Sequence, residues 1–241
     1  MYSIFGMIAL IIVFVQHSKL AGQDTSITPE QSEKIIEKIY EKYAPIYKKY
    51  EGTQSTRQVD VIEYNPNTNQ LVNRSTVSLI RKEYFYKKSE ITVLQFTKND
   101  KPMRTSDYQS REEQPGPPVL DQEGKNIYST RITRSATISN IKCYQMEVSP
   151  RKKTPLLFEG YFYFKCDTLD LVLVEGTTAE LSYPLKEFSM KLYFDMIKDL
   201  PVLRTGSFIM RVFIPVLQPD RRFVISVKVL DNKPLKKIVA I

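Results

Sequence analysis

The sequence contains no tryptophan and one histidine, His17. That histidine lies in an apolar N-terminal segment that reads as a removable leader. A mature chain without it has no imidazole, which excludes Ser-His-Asp and Cys-His catalysis, a histidine general base and histidine-liganded zinc. Cysteine is equally scarce, with only Cys143 and Cys166 present, at a spacing that fits no metal motif. Long basic runs with interleaved aromatics are absent too. The basic residues are dispersed through groups such as Arg81-Lys82, Lys87-Lys88 and Arg151-Lys152-Lys153, so nucleic acid is not an expected partner. These absences point to a non-enzymatic binding protein with neither metal nor cofactor. Carboxylates such as Glu159, Asp167, Glu175, Glu180 and Asp195 read as strand-surface and turn residues.

What remains is the composition of a folded protein: 241 residues, 42% apolar and 26% charged, with a net charge of +8. Ile4–Val15 is one uninterrupted apolar run. It is shorter than the roughly 20 residues a membrane span needs and suits the core of a signal peptide. Small residues follow at Ala21 and Gly22, so residues 1–22 are expected to be removed on export, the alternative being an uncleaved N-terminal anchor, and residues 23–241 to form one domain. Removal takes away Lys19 and no acidic residue, leaving the chain basic. An exported basic protein is suited to anionic lipid headgroups or acidic surface polymers, and the same charge serves solubility. Export also permits disulfides. Cys143 and Cys166 flank the loop Pro150–Pro155 in two strand-like stretches, which leaves either a Cys143–Cys166 disulfide or two buried thiols.

One helix is legible. Thr28 is a good N-cap, Pro29 suits the first helical position and Gln31 completes a capping box. Ile35, Ile36, Ile39, Tyr40, Tyr43, Ile46, Tyr47 and Tyr50 recur at helical spacing, with Glu and Lys on the other side. Pro45 is expected to kink or divide this helix and Gly52 to end it. The tyrosine-rich stripe suits either plain core packing or the edge of a cavity, where Tyr43 and Tyr47 would stand.

Strand chemistry follows. Gln58–Tyr64 and Leu71–Leu79 read as a hairpin around Asn65–Asn69, and Glu83–Lys87 with Ile91–Thr97 as another. Residues 98–126 are polar and include Gln114-Pro115-Gly116-Pro117-Pro118, either a surface excursion or a flap over a site. Further strands are expected at Ser139–Ser149, Leu157–Cys166, Asp170–Thr178, Glu187–Ile197, Ser207–Ile214 and Arg222–Leu230. Short connections predict an antiparallel meander. The consecutive aromatics Tyr161-Phe162-Tyr163-Phe164 mark a central strand apolar on both faces.

Three C-terminal strands alternate with period two. Phe188, Met190, Leu192, Phe194 and Met196 share one face; Phe208, Met210, Val212 and Ile214 another; Phe223, Ile225, Val227 and Val229 a third. If the strands are neighbours, these faces merge into one wide apolar surface. A single helix about 10 Å wide cannot blanket a sheet whose strands lie about 4.8 Å apart. The sheet must curl on itself, close completely, or leave part of this face open to an apolar ligand. Methionine and phenylalanine suit the last case. Met190, Leu192, Phe194, Phe208, Met210, Val212, Phe223 and Ile225, with Tyr43 and Tyr47, are therefore the candidate cavity residues.

The order of elements resembles a known superfamily. After the leader and helix come Lys142-Cys-Tyr-Gln-Met-Glu-Val-Ser-Pro150, a basic loop, Gly160-Tyr-Phe-Tyr-Phe-Lys-Cys-Asp-Thr168 and Leu171-Val-Leu-Val-Glu175. Residues 30–235 are similar in this respect to LolA-like proteins and outer-membrane lipoprotein-sorting proteins. Relatives often carry tryptophan in the strand where Tyr163 and Phe164 stand here. The resemblance implies an α+β, mostly β fold: a strongly curved antiparallel sheet, an incomplete β-barrel, with helices in its mouth. It also implies a periplasmic carrier without a catalytic site, holding lipid acyl chains or lipoprotein in a hydrophobic cavity; the chain itself is expected to be a monomer. The other function open to the same fold is that of an envelope sensor or scaffold acting through protein contacts.

Overall fold

The computed structural model describes residues 27–108, 118–155, 157–214 and 218–237. The expected leader, the side chain of Ile214 and Gln114–Pro117 lie outside the described residues.

Helix α1 (Pro29–Lys49) starts where local chemistry says it should. The Thr28 hydroxyl accepts from the Gln31 backbone N–H, and the Gln31 side chain accepts from the Thr28 N–H, which satisfies two otherwise orphaned donors. The helix continues through Pro45 rather than dividing there. It ends at Lys49, before Gly52, and Tyr50 enters the first strand without a loop.

Eleven strands follow: β1 (Tyr50–Tyr64), β2 (Leu71–Tyr84), β3 (Glu90–Lys98), β4 (Lys101–Met103), β5 (Tyr128–Ile138), β6 (Ile141–Pro150), β7 (Phe158–Lys165), β8 (Leu171–Thr178), β9 (Leu185–Ile197), β10 (Leu200–Ile214) and β11 (Gln218–Lys236). They form one open antiparallel sheet in the order β4-β3-β2-β1-β11-β10-β9-β8-β7-β6-β5. Two meanders, β1–β4 and β5–β11, are joined by the pairing of β1 with β11. The fold is thus α+β and mostly β, as the sequence predicts. Three details differ. Glu83 and Tyr84 end β2 rather than opening a strand of their own, β5 replaces an unassigned polar stretch, and residues 98–126 contain β4, a 3-10 turn (Thr105–Asp107) and a short helix α2 (Gln122–Ile127). That segment is also less superficial than its polarity implies, because Val119 and Leu120 are buried in the core.

The sheet is curled. Tyr86, just past β2, donates a hydrogen bond to Asp121, the N-cap of α2, and α2 leads straight into β5. In a flat sheet β2 and β5 would stand about 38 Å apart at ~4.8 Å per strand, whereas α2 spans only about 9 Å. Curvature closes that gap.

The main core lies between α1 and the inner face of the sheet. Ile39, Tyr43 and Ile46 pack with Met146, Val148, Phe162, Phe164, Leu171, Val174, Leu200 and Val202. A smaller cluster of Cys143, Tyr163, Val172 and Leu173 covers part of the outer face. The strand of consecutive aromatics therefore serves both layers, with Phe162 and Phe164 inward and Tyr163 outward.

Candidate functional site

Register brings the three alternating strands together as neighbours. Met190 pairs with Phe208, and Phe208 with Ile225; Phe188 pairs with Met210, and Met210 with Phe223. Across the next boundary Ile225 pairs with Val61 and Val227 with Val59. Paired residues point to the same side, so these rows form one continuous apolar inner face crossing β9, β10, β11 and β1.

Helix cover stops short of it. The helix is 21 residues long and crosses the sheet towards one end: Lys42 reaches Asp170 in the β7–β8 turn and Lys49 reaches Asp199 in the β9–β10 turn. On β10, Leu200 and Val202 are buried beneath it. Met210 lies about 26 Å farther along the strand at ~3.3 Å per residue. A helix about 10 Å wide cannot reach that far. Phe188, Met190, Phe208, Met210, Val212, Phe223 and Ile225 are accordingly half-buried and join neither core cluster.

The predicted cavity set divides. Met190, Phe208, Met210, Val212, Phe223 and Ile225 form a half-buried apolar patch on the inner face, beyond the helix, which the term trough denotes below. Leu192 and Phe194 lie at its inner end, where they pack against the helix core. Tyr43 is not a trough residue: it is wholly buried, its hydroxyl donating to the Leu169 carbonyl at 3.0 Å and accepting from the Leu171 N–H at 2.7 Å. Burial raises its phenol above the usual tyrosine range. Tyr47 packs edge-on against Phe85 at 4.8 Å, and burial, then the Asp121 carboxylate, raises its phenol likewise.

Polar groups bound the trough. Glu63, which pairs with Phe223, accepts from Asn73 at 2.7 Å and sits 2.8 Å from the Arg221 guanidinium. On the β1–β2 side, buried Arg57 donates to the Ser55 hydroxyl at 2.6 Å and to Glu83, which also lies 3.2 Å from Arg81. Burial works to raise the Glu83 carboxyl, but the Arg57 and Arg81 guanidiniums outweigh it and hold the group below the ordinary carboxylate range. Alternation puts Ser55 with Arg57 on β1 and Arg81 with Glu83 on β2, but only the register of β1 against β2 brings the two pairs together.

The opposite face bears an open cleft of about 670 Å³ lined by Glu147, Glu159, Tyr161, Glu175 and Lys191, with Met190 and Ile209 among its apolar walls. Each of its three glutamates has a cation of its own: Arg131 at 2.7 Å, Lys153 at 2.9 Å and Lys191 at 3.4 Å. Among the described residues no three His, Cys, Asp or Glu side chains gather to hold a metal.

The cysteines are both free thiols. Cys143 pairs with Lys165, while the Cys166 N–H donates to the Lys142 carbonyl, a one-residue offset that turns the two side chains apart. Cys143 packs with Tyr163 and Leu173 on the outer face; Cys166 lies beside Ile27, Ile35 and Tyr144 on the helix side. The disulfide alternative therefore fails on direction, although the pairing of β6 with β7 is as expected. Burial, then proximity to Cys166, pushes the Cys143 thiol up to about 11.

No protein-family model matches the sequence. No curated protein matches it either. Among solved structures, the chain is similar to a LolA-superfamily protein of Nitrosomonas europaea at 11% identity, covering 85% of this chain and 94% of that one with a TM-score of 0.43. A Vibrio parahaemolyticus domain named for outer-membrane lipoprotein sorting is 10% identical, covering 86% and 93% with a TM-score of 0.42. The Pseudomonas aeruginosa MucA/MucB complex is matched at 7% identity, covering 83% and 99% with a TM-score of 0.25.

Proposed function

We propose that this chain is a non-enzymatic carrier, exported to the periplasm, that holds lipid acyl chains or acylated cargo on the inner face of its curled sheet. The observation that carries the reading is the row of Phe, Met and Ile side chains on β9–β11 that lies beyond the reach of α1 and stays half-buried. An apolar face this continuous, rimmed by ion pairs, is where an apolar guest gains most from leaving water. Each methylene buried contributes about 0.8 kcal/mol. A chain of about 14 carbons would gain ~10 kcal/mol before the cost of ordering it. No headgroup contact is needed to reach useful affinity.

The test has two parts on one sample. An organic extract of the purified protein is analysed by mass spectrometry, and the stripped protein is titrated with a fluorescent fatty acid. The reading requires a co-purified lipid or saturable uptake. An extract without lipid, together with no uptake, contradicts it.

A further inference from the structure

The two ends of the sheet differ in a way that a carrier can use. At the helix end the chain turns tightly and its turns are tied down, Asp170 to Lys42 at 2.6 Å and Asp199 to Lys49 at 3.4 Å. Strands β1, β6 and β8 all run away from that end, as the antiparallel order dictates, so the links that follow them lie at the far end. There the chain exposes what soluble surfaces usually hide. Leu71, where β2 begins, is 60% exposed; Leu181 and Tyr183, between β8 and β9, are 42% and 74% exposed.

Cations accompany them. Arg151 and Lys152 stand exposed in the link between β6 and β7, and Lys186 is exposed near the start of β9, its ammonium over the Phe213 ring at 3.8 Å. The Phe188–Met210–Phe223 row of the apolar face lies towards this end, with the Leu185–Val212–Arg221 row farther out still. Exposed Leu and Tyr on the same rim as Lys and Arg, with Glu180 the acidic residue of the β8–β9 link, are a combination that enters a headgroup layer: the aromatic and aliphatic groups bury themselves while the cations meet lipid phosphates.

We propose that this far rim, built from the β1–β2, β6–β7 and β8–β9 links, docks on an anionic bilayer and so places the far end of the trough against the lipid surface. The proposal rests on the carrier reading for its purpose, but its test is independent of that reading. Hydrogen exchange of the purified protein is followed by mass spectrometry with vesicles of phosphatidylglycerol and phosphatidylcholine, and with vesicles of phosphatidylcholine alone. Anionic vesicles should slow exchange in residues 179–186 and 151–155, neutral vesicles should not, and added salt should reverse the effect. The double variant Lys152→Glu, Lys186→Glu should lose at least about tenfold in partitioning to anionic vesicles, as should Leu181→Ser with Tyr183→Ser, while fatty-acid uptake stays at the wild-type level. All four sites are exposed, and the wild-type comparison of the two vesicle types needs no variant to fold. No protection at these links, equal protection by neutral vesicles, or unchanged partitioning of both variants overturns the proposal. Rim-dependent docking in a protein that takes up no fatty acid would uphold it and remove the carrier reading instead.

Discussion

Met190 of β9 and Phe208 of β10 stand directly opposite one another on the inner face of the sheet, both half-buried and both beyond the helix. Such a pair is not a core contact in waiting, since nothing in the described residues covers it as α1 covers Leu200 and Val202. It divides one strand in two: the helix-side half of β10 is buried in the core, and the far half is the part the carrier proposal assigns to binding.

Met210→Asp and Ile225→Asp should therefore damage binding far more than stability. Each side chain is only half-buried, so the carboxylate can stay partly hydrated. We expect a loss of no more than about 1–2 kcal/mol in urea unfolding alongside loss of fatty-acid uptake. Unfolding of both variants, or uptake equal to wild type, would show that these positions are ordinary core or ordinary surface.

Tyr43→Phe tests the opposite case. It removes the donor to Leu169 and leaves the buried Leu171 N–H without its acceptor. The expected cost is about 1–3 kcal/mol by urea unfolding, with uptake per folded molecule unchanged. A Phe variant as stable as wild type would mean that this hydrogen-bonded anchor contributes nothing.

The glycines of the curled strands should resist substitution. A Cβ at Gly160 would meet the Glu175 carbonyl oxygen at 2.2 Å and the Gly176 Cα at 2.6 Å, and one at Gly176 would meet the Glu159 carbonyl oxygen at 2.3 Å. Backbone cannot swing aside as a side chain can. Gly160→Ala and Gly176→Ala should each cost at least about 1–3 kcal/mol, read as a lowered urea midpoint. Midpoints unchanged from wild type would refute the close approach of β7 and β8.

Glu83 should impose an acid limb on stability. Its folded-state pKa lies below the ordinary value because Arg57 and Arg81 favour the ionised form against the effect of burial. The unfolded chain binds the proton more readily, so the contribution is present above about pH 4.3 and is lost as pH falls through the depressed value. Urea midpoints measured from pH 7 down to 3 should fall less steeply in Glu83→Gln than in wild type. Parallel curves would contradict the assignment.

Both cysteines should behave as thiols. Native Cys143, buried and with its pKa near 11, should resist iodoacetamide at pH 8, and Cys166, half-buried, should react first. Denaturation should expose two reactive groups. An intact mass short by two hydrogens would restore the disulfide.

Much of this was legible in the residues, and the exceptions have physical causes. The start of α1 was readable because capping is local: Thr28, Pro29 and Gln31 suffice. The shared apolar face of β9–β11 was readable because period two survives any tertiary context. Strand β5 was not, since Tyr128–Ile138 alternates weakly and carries two arginines, and it becomes a strand only as the edge partner of β6. Gly52 looked like a helix stop. Its place is set instead by β2, whose Glu83 carbonyl oxygen would lie 1.8 Å from any Cβ there. Tyr43 and Tyr47 share one helical stripe with the core residues, and spacing alone cannot say which tyrosine ends under the sheet and which at its margin. The Ser55, Arg57, Arg81 and Glu83 cluster depends on the register of β1 against β2, which no local pattern encodes.

The most direct measurement is photolabelling with a diazirine-bearing fatty acid, followed by peptide mapping of the adducts. The account predicts carbon-insertion adducts concentrated in Phe188–Leu192, Phe208–Val212 and Phe223–Val227, suppressed by excess unlabelled fatty acid. Adducts spread evenly over the surface, or gathered on the outer face around Glu147, Tyr161 and Glu175, would contradict it.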